Sequence, residues 1–167
     1  MFLKFLTFCK HIYYIPNLYT IILASWILLD DKYYYFNDGP ANNHDAIASC
    51  INKGGKLFEP KNEKVNIEVT NLAKDRGLDD FWIGINDKSQ ENCFVYASDG
   101  TPIIYANWCG SDCCRGTHGE PSGNGDCVWI GVVDPTDELC SDHSMWDDEG
   151  CSNVKPFVCE KGKLGLD

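Results

Sequence analysis

HGEPSGNGDC, residues 118–127, places three glycines, one proline, two carboxylates and a cysteine in ten positions. Glycine and proline at this density mark irregular chain. Two readings of the stretch stand at this level: a connection between strands, or a loop that grips a ligand. Between Trp108 and Asp126 there are 17 residues without hydrophobic period, which is long for a passive connection.

The flanks of this loop are short apolar segments. DCVWIGVV follows it as a strand, then SMWDD as a short strand and PFVCE as a last one. Before it, FWIGI reads as a short buried strand. FVYASDGTPIIYANW reads as a hairpin turning at Ser98-Asp99-Gly100. Further upstream the period becomes helical. Ala46, Ile47, Cys50 and Ile51 share one face, with asparagines to start the helix and Gly54-Gly55 to stop it. Val65, Val69, Leu72 and Ala73 share the face of a second helix that ends at Gly77. Tyr33–Phe36 is a first strand, and Asn37-Asp38-Gly39-Pro40 a turn. Strand, two helices, then short antiparallel strands around a long irregular loop make an α+β domain. No internal repeat and no N-x-[ST] sequon occur.

The 167 residues suit one domain. A net charge of −11 excludes nucleic acid as a partner, because phosphate neutralisation needs a Lys/Arg surface. The acidity is either a self-repelling soluble surface or a set of carboxylates gathered to hold a cation. Nine of the ten cysteines lie between Cys50 and Cys159, a usage that favours an oxidising compartment. Zinc is the competing reading, through Cys109, Cys113, Cys114 and His118, but no C-x2-C pair is present.

Residues 1–31 read as a signal peptide or signal anchor, and residues 32–167 as the domain. Lys4 and Lys10 precede a run of 18 mostly apolar residues, Ile12–Leu29, closed by Asp30 and Asp31. Leu18–Leu29 suits a signal core, with Ala24 or Ser25 near a cut. A new N-terminus between Ala24 and Asp31 and a secreted protein are expected. The alternative is a type II membrane protein, since the run is just long enough to span. Both put the domain outside the cytosol.

The order of elements, with these residues, resembles the C-type lectin domain. The marks are a cysteine in the first helix (Cys50), WIGI at 82–85, NW at 107–108, EPS at 120–122, DC at 126–127, WDD at 146–148, and C-x7-C ending in CE at Cys151, Cys159 and Glu160. They cover Tyr33 to Glu160. The resemblance implies a C-type lectin fold: two helices and short antiparallel strands with a long irregular loop, stapled by disulfides. It implies the pairs Cys50–Cys159 and Cys127–Cys151. Cys93, Cys109, Cys113, Cys114 and Cys140 are left without an assigned pairing. Five is odd, so one is free or bridges to another chain, and a disulfide-linked oligomer follows as an expectation.

The same resemblance implies a Ca2+ site that also binds sugar. Sugar-binding members hold the ion with a Glu-Pro-Asn tripeptide whose proline is cis, a second Glu just before the DC pair, and an Asn-Asp pair after a tryptophan. Glu120, Pro121 and Asp148 match. Ser122 replaces the Asn of the tripeptide, Gly125 the second Glu, and Asp147 the Asn of the pair. Glu120, Asp147 and Asp148 still supply three carboxylates, and Asn124 or water is available to fill the shell. Ser122 donates one hydrogen bond and Asp147 none, so the sugar-facing donors are reduced. EPS remains nearer the EPN of mannose-type sites than the QPD of galactose-type sites. A second metal site is implied at Asp87, Glu91 and Asp126.

The expected function is Ca2+-assisted carbohydrate binding, with glycans or a glycoprotein as partner. The alternative is a lectin-like domain that binds a protein or other ligand without Ca2+. Trp82, Trp108, Trp129 and Trp146 fall in strand patterns and are expected in the core rather than against sugar. Asp147 and Asp148 are adjacent rather than straddling a bond, and no nucleophile–base motif or phosphate loop occurs, so an enzyme is not expected.

Overall fold

The computed structural model describes residues 26–110, 119–123, 125–131 and 144–163. The leader before Trp26, Cys113, Cys114, His118, Asn124 and Cys140 lie outside the described residues.

The fold is α+β. Its strands are β1 (Ile27–Leu29), β2 (Lys32–Ala41), β3 (Lys56–Leu57), β4 (Asp80–Asn86), β5 (Val95–Tyr96), β6 (Cys127–Gly131), β7 (Trp146–Glu149) and β8 (Lys155–Gly162). Two helices interrupt them, α1 (Asn43–Asn52) and α2 (Glu63–Lys74). The strands join one sheet in the order β1-β2-β8-β4-β6-β7, with β3 added to β8 and β5 to β4. Every pairing is antiparallel except β4 with β8, where Trp82 lies opposite Phe157.

Each helix begins where an asparagine can take an orphan backbone N–H. Asn42 accepts from Asp45 N at 2.9 Å, and Asn62 from Val65 N at 3.0 Å. The second helix stops at Gly77, whose φ of +76° is the left-handed conformation that glycine adopts without penalty.

Alternation along the strands divides the core between the two faces of the sheet. Tyr34, Phe36, Phe81, Ile83, Ile85, Val128, Ile130 and Val158 pack with Val69 and Ala73 of α2. Trp82, Cys127, Phe157 and Cys159 pack with Ala46 and Cys50 of α1. Ile51, expected on the buried face of α1, is 61% exposed. The Cys50–Cys159 disulfide draws Cys50 inward and sets the rotation of the helix. In α2, Asn66 and Thr70 are buried alongside the apolar residues. Asn66 accepts from Trp146 Nε1 at 2.9 Å and donates to the Ser144 carbonyl at 2.9 Å, so its burial leaves no polar group unpaired.

One expectation at the N-terminal side is corrected. The first strand runs on through residues 37–40, with its register shifted between Asn37 and Ala41. There Asn37 Nδ2 donates to the Gly39 carbonyl at 2.7 Å, so the segment is an irregular stretch of β2 rather than a turn. Ile27–Leu29, inside the apolar leader run, pairs with β2 as β1, Ile27 opposite Tyr34. The sheet therefore includes Ile27–Leu29.

Two disulfides between described residues staple this frame. Cys50–Cys159 spans 109 residues and ties α1 to β8. Closing a loop of that length in the unfolded chain is worth about 4–5 kcal/mol in the chain-entropy account. Cys127–Cys151 ties the start of β6 to the segment after β7. Trp82 and Trp146 are fully buried, while Trp108 and Trp129 are half-buried. Trp108 packs tilted against Phe94 and edge-to-face on Trp146, and the Lys155 ammonium lies 3.9 Å from the Trp129 ring centroid.

Candidate functional site

The site forms where three stretches distant in sequence meet at the β7 edge. β7 continues outward through a single parallel bridge, Trp108 to Trp146. The backbone knots the stretches together. Trp146 N donates to the Asn107 carbonyl at 2.7 Å, Cys109 N to Trp146 at 2.9 Å, and Glu120 N to Cys109 at 2.8 Å. Asn107 also donates to the Ser144 carbonyl at 3.2 Å. The Asn-Trp pair at 107–108 thus seats the beginning of the loop beside the strand that carries Asp147 and Asp148. Register then places Asp148 opposite Val128, and Asp147 opposite Trp129.

The structure brings together Glu120, Asp147 and Asp148: each contributes a carboxylate oxygen to a group lying within 4.8 Å of one another. No other such trio occurs among the described His, Cys, Asp and Glu residues. The Glu120–Pro121 peptide is cis. Glu120 Oε2 is buried and takes no hydrogen bond among the described residues. Asp147 is half-buried, and its carboxyl is pushed up to about 7, first by burial and then by the nearby Glu120 and Asp148 charges. A buried, unpaired carboxylate oxygen beside two further carboxylates favours a bound cation, and an all-oxygen donor set suits a hard one such as Ca2+.

Asp148 has a second task. It is 4% exposed, and its two oxygens accept the backbone N–H groups of Ser122 at 2.8 Å and Gly125 at 3.0 Å. The loop is thereby pinned to β7 by one side chain. A carboxylate offers about four lone-pair sites, so Asp148 can do this and still face a cation. Ser122 itself is exposed at the loop's outer side.

Gly125 explains itself only in three dimensions. A Cβ built on it would collide with the backbone of Glu149. The position where sugar-binding relatives of the resembled family carry a second Glu has no room for any side chain here. The pattern of the sequence shows the substitution but not this reason for it.

Asp87, Glu91 and Asp126 gather less closely. Asp87 is 1% exposed; its Oδ2 accepts Asn92 N at 2.7 Å, and its Oδ1 is buried without a partner among the described residues. Its pKa is raised, mainly by burial, with Asp126 and Asp148 adding to the effect. Glu91 and Asp126 are exposed, and the three do not form a trio of the kind made by Glu120, Asp147 and Asp148. Cys109 is disulfide-bonded, which removes its thiolate from any zinc site. Cys93 is exposed with a free thiol.

Comparison with known proteins adds the following. The family profile described as "Lectin C-type domain" matches residues 40–161. Collectin-10 of Xenopus tropicalis is 34% identical over 139 residues, a match covering 83% of this chain and 45% of that protein. The tetranectin-like protein of Carcharhinus perezii is 32% identical over 131 residues, covering 77% of this chain and 70% of its own length. The chain thus spans about half the length of the collectins it matches. Among solved structures, the human scavenger receptor C-type lectin carbohydrate-recognition domain superposes with a TM-score of 0.64 at 26% identity, covering 83% of this chain and 96% of that one.

Proposed function

The chain belongs to the C-type lectin domain family, and on that premise we propose that it binds carbohydrate, with Ca2+ held by Glu120, Asp147 and Asp148 and with Ser122 beside them. It is a binding domain and not an enzyme. The observation that carries the reading is the convergence of the three carboxylates, with Glu120 Oε2 buried and without a hydrogen bond among the described residues. A bound Ca2+ supplies open coordination positions for neighbouring sugar hydroxyls. The chain's own groups do the rest. Carboxylate oxygens accept from the hydroxyls, and the Ser122 hydroxyl offers the single side-chain donor of the set. Asp148, through Ser122 N and Gly125 N, holds the loop in place while the ligand arrives. The tripeptide is of the mannose type, with fewer donors than an EPN site has. Asp87, Glu91 and Asp126 are proposed as a second, weaker cation site.

We place the protein outside the cell, after removal of its leader, where disulfides such as Cys50–Cys159 and Cys127–Cys151 persist. Among the described residues, Cys93 carries a free, exposed thiol that would be available to join two copies. No helix among the described residues is long and apolar enough to cross a membrane.

One observation favours a second reading, recognition of a protein without Ca2+. Asp148 already holds the loop through two backbone hydrogen bonds, so a cation is not needed to shape it. A calcium titration separates the two. Millimolar CaCl2 should raise the melting temperature, EDTA should reverse the rise, and Glu120→Gln should remove most of it. A ligand at a hundred times its Kd stabilises the folded state by about 2.7 kcal/mol. A glycan array in Ca2+ should then show mannose-type ligands. Identical melting curves with and without Ca2+ would overturn the calcium reading and leave the second.

A further inference from the structure

We propose that one face of the sheet, at its β1 edge, docks the domain onto an anionic lipid bilayer. Strand register sets the docking residues in two rows. Leu28 lies opposite Tyr33, and Tyr33 opposite Lys161. One step along, Trp26 packs on Tyr35 with ring centroids 5.7 Å apart. Register partners point to the same face, and so do residues two apart along a strand. Further along that face, α1 packs over Trp82, Phe157 and Cys159. The helix ends at Asn52 and leaves the β1 end of the face half-buried to exposed, with Leu28 at 48%. Each ring of the second row carries a cation. The Lys161 ammonium lies 4.0 Å from the Trp26 ring centroid, and that of Lys53 4.5 Å from the Tyr35 centroid. Gly55 makes room for the arrangement, since a Cβ there would meet the Trp26 ring at 2.8 Å.

This composition selects the occupant. Tryptophan and tyrosine rings settle at the level of lipid headgroups, an exposed leucine reaches the acyl boundary, and lysines are drawn to anionic lipid. An ammonium has three donors, so a lysine over a ring keeps donors for a phosphate oxygen. The carboxylates nearest in sequence are turned away or engaged. Glu160 lies opposite Tyr34, on the other face, where it is 1% exposed and paired with Lys32 at 3.2 Å. Asp30 accepts from Lys64 at 2.6 Å. The net charge of −11 opposes approach to an anionic surface, but the carboxylate cluster lies at β7, the opposite edge of the strand order. The spacings between β1 and β7 add to about 24 Å, well beyond a screening length of about 8 Å in physiological salt. The same separation keeps that cluster clear of the bilayer and open to a glycan. A second copy of this chain is a poor occupant, because patch on patch sets lysines against lysines.

The test is co-sedimentation of the secreted protein, its leader shown absent by N-terminal sequencing, with vesicles of phosphatidylcholine alone or with about 30% phosphatidylserine. EDTA is present, so calcium cannot bridge the carboxylate cluster to the lipid. The vesicles with phosphatidylserine should bind, and phosphatidylcholine alone should bind far more weakly. Lys53→Gln and Lys161→Gln should each weaken binding about fivefold, and Leu28→Asn severalfold. Lys74→Gln makes the same charge change at an exposed position of α2, which packs on the other face, and should leave binding unchanged. Thermal unfolding confirms that each variant is folded. No sedimentation with either vesicle overturns the proposal. So does equal binding to both, or a loss with Lys74→Gln as large as with Lys53→Gln, which would show diffuse charge rather than a patch. Capture by soluble dextran sulfate without binding to vesicles overturns the bilayer and assigns the lysines to a soluble polyanion.

Discussion

Asp147→Asn in calcium-free protein should stabilise the domain at high pH and leave it unchanged in acid. The Asp147 carboxyl is pushed from 3.8 up to about 7, by burial first and by Glu120 and Asp148 next. A carboxyl raised on folding binds more protons folded than unfolded between those two values. Stability therefore falls as pH rises from 3.8 towards about 7, and the full cost is present above that window. Each pH unit of displacement corresponds to about 1.4 kcal/mol, which sets a ceiling of about 4 kcal/mol. Asp147 is only half-buried, so solvent screening reduces this to about 2 kcal/mol. For a domain of this size that is a rise in Tm of roughly 6–8 °C. The assay is thermal unfolding by circular dichroism in EDTA, parent against variant, across about pH 4 to pH 8. The variant should match the parent at the acid end and exceed it at the alkaline end. Calcium should shrink or reverse the difference, because a cation offsets the same repulsion and the variant has lost a ligand. Curves that run parallel at every pH would refute the reasoning, since they would show that Asp147 titrates alike in both states.

Ser122→Asn should tighten both Ca2+ and mannose-type sugar, because the longer amide restores reach and donors; binding curves at two calcium concentrations check it, and unchanged curves would count against the loop as the binding element. Gly125→Ala should lower stability by about 1–3 kcal/mol, because its Cβ has no space against the Glu149 backbone, and urea unfolding would measure it. Gly125→Glu should accordingly fail to add a calcium ligand. Sequencing of secreted protein should find a new N-terminus at or before Trp26. That cut keeps β1, whose Ile27 and Leu29 pack on the core, and Trp26, whose ring stacks on Tyr35 at 5.7 Å. Protein beginning at Asp30 should melt several degrees lower.

How much of this could be read without the structure follows from the range of the interactions concerned. Helix starts at Asn42 and Asn62, the stop at Gly77 and the alternation of buried strand residues are local, so periodicity and turn chemistry reveal them. Glu120, Ser122, Asp147 and Asp148 are visible as EPS and WDD because each is a short motif that the family resemblance picks out, though the two motifs lie far apart in sequence. Where a choice depends on contacts from far along the chain, the pattern is silent. The apolar run before Asp30 looks like leader throughout, yet Ile27–Leu29 finds a partner in β2 and becomes strand. Ile51 fits the apolar stripe of α1, but a disulfide to a residue 109 positions from Cys50 decides which side faces inward. Composition determined that this is an acidic, cysteine-rich domain, and the resemblance pointed to carboxylates beside Glu120-Pro121. Only the tertiary structure decided that Asp148 would hold the loop by its backbone, that Gly125 could carry no side chain, and that Asp147 would sit where its charge is costly. Those are consequences of β7 packing against the loop that carries Glu120, Ser122 and Gly125, two segments that lie apart in sequence.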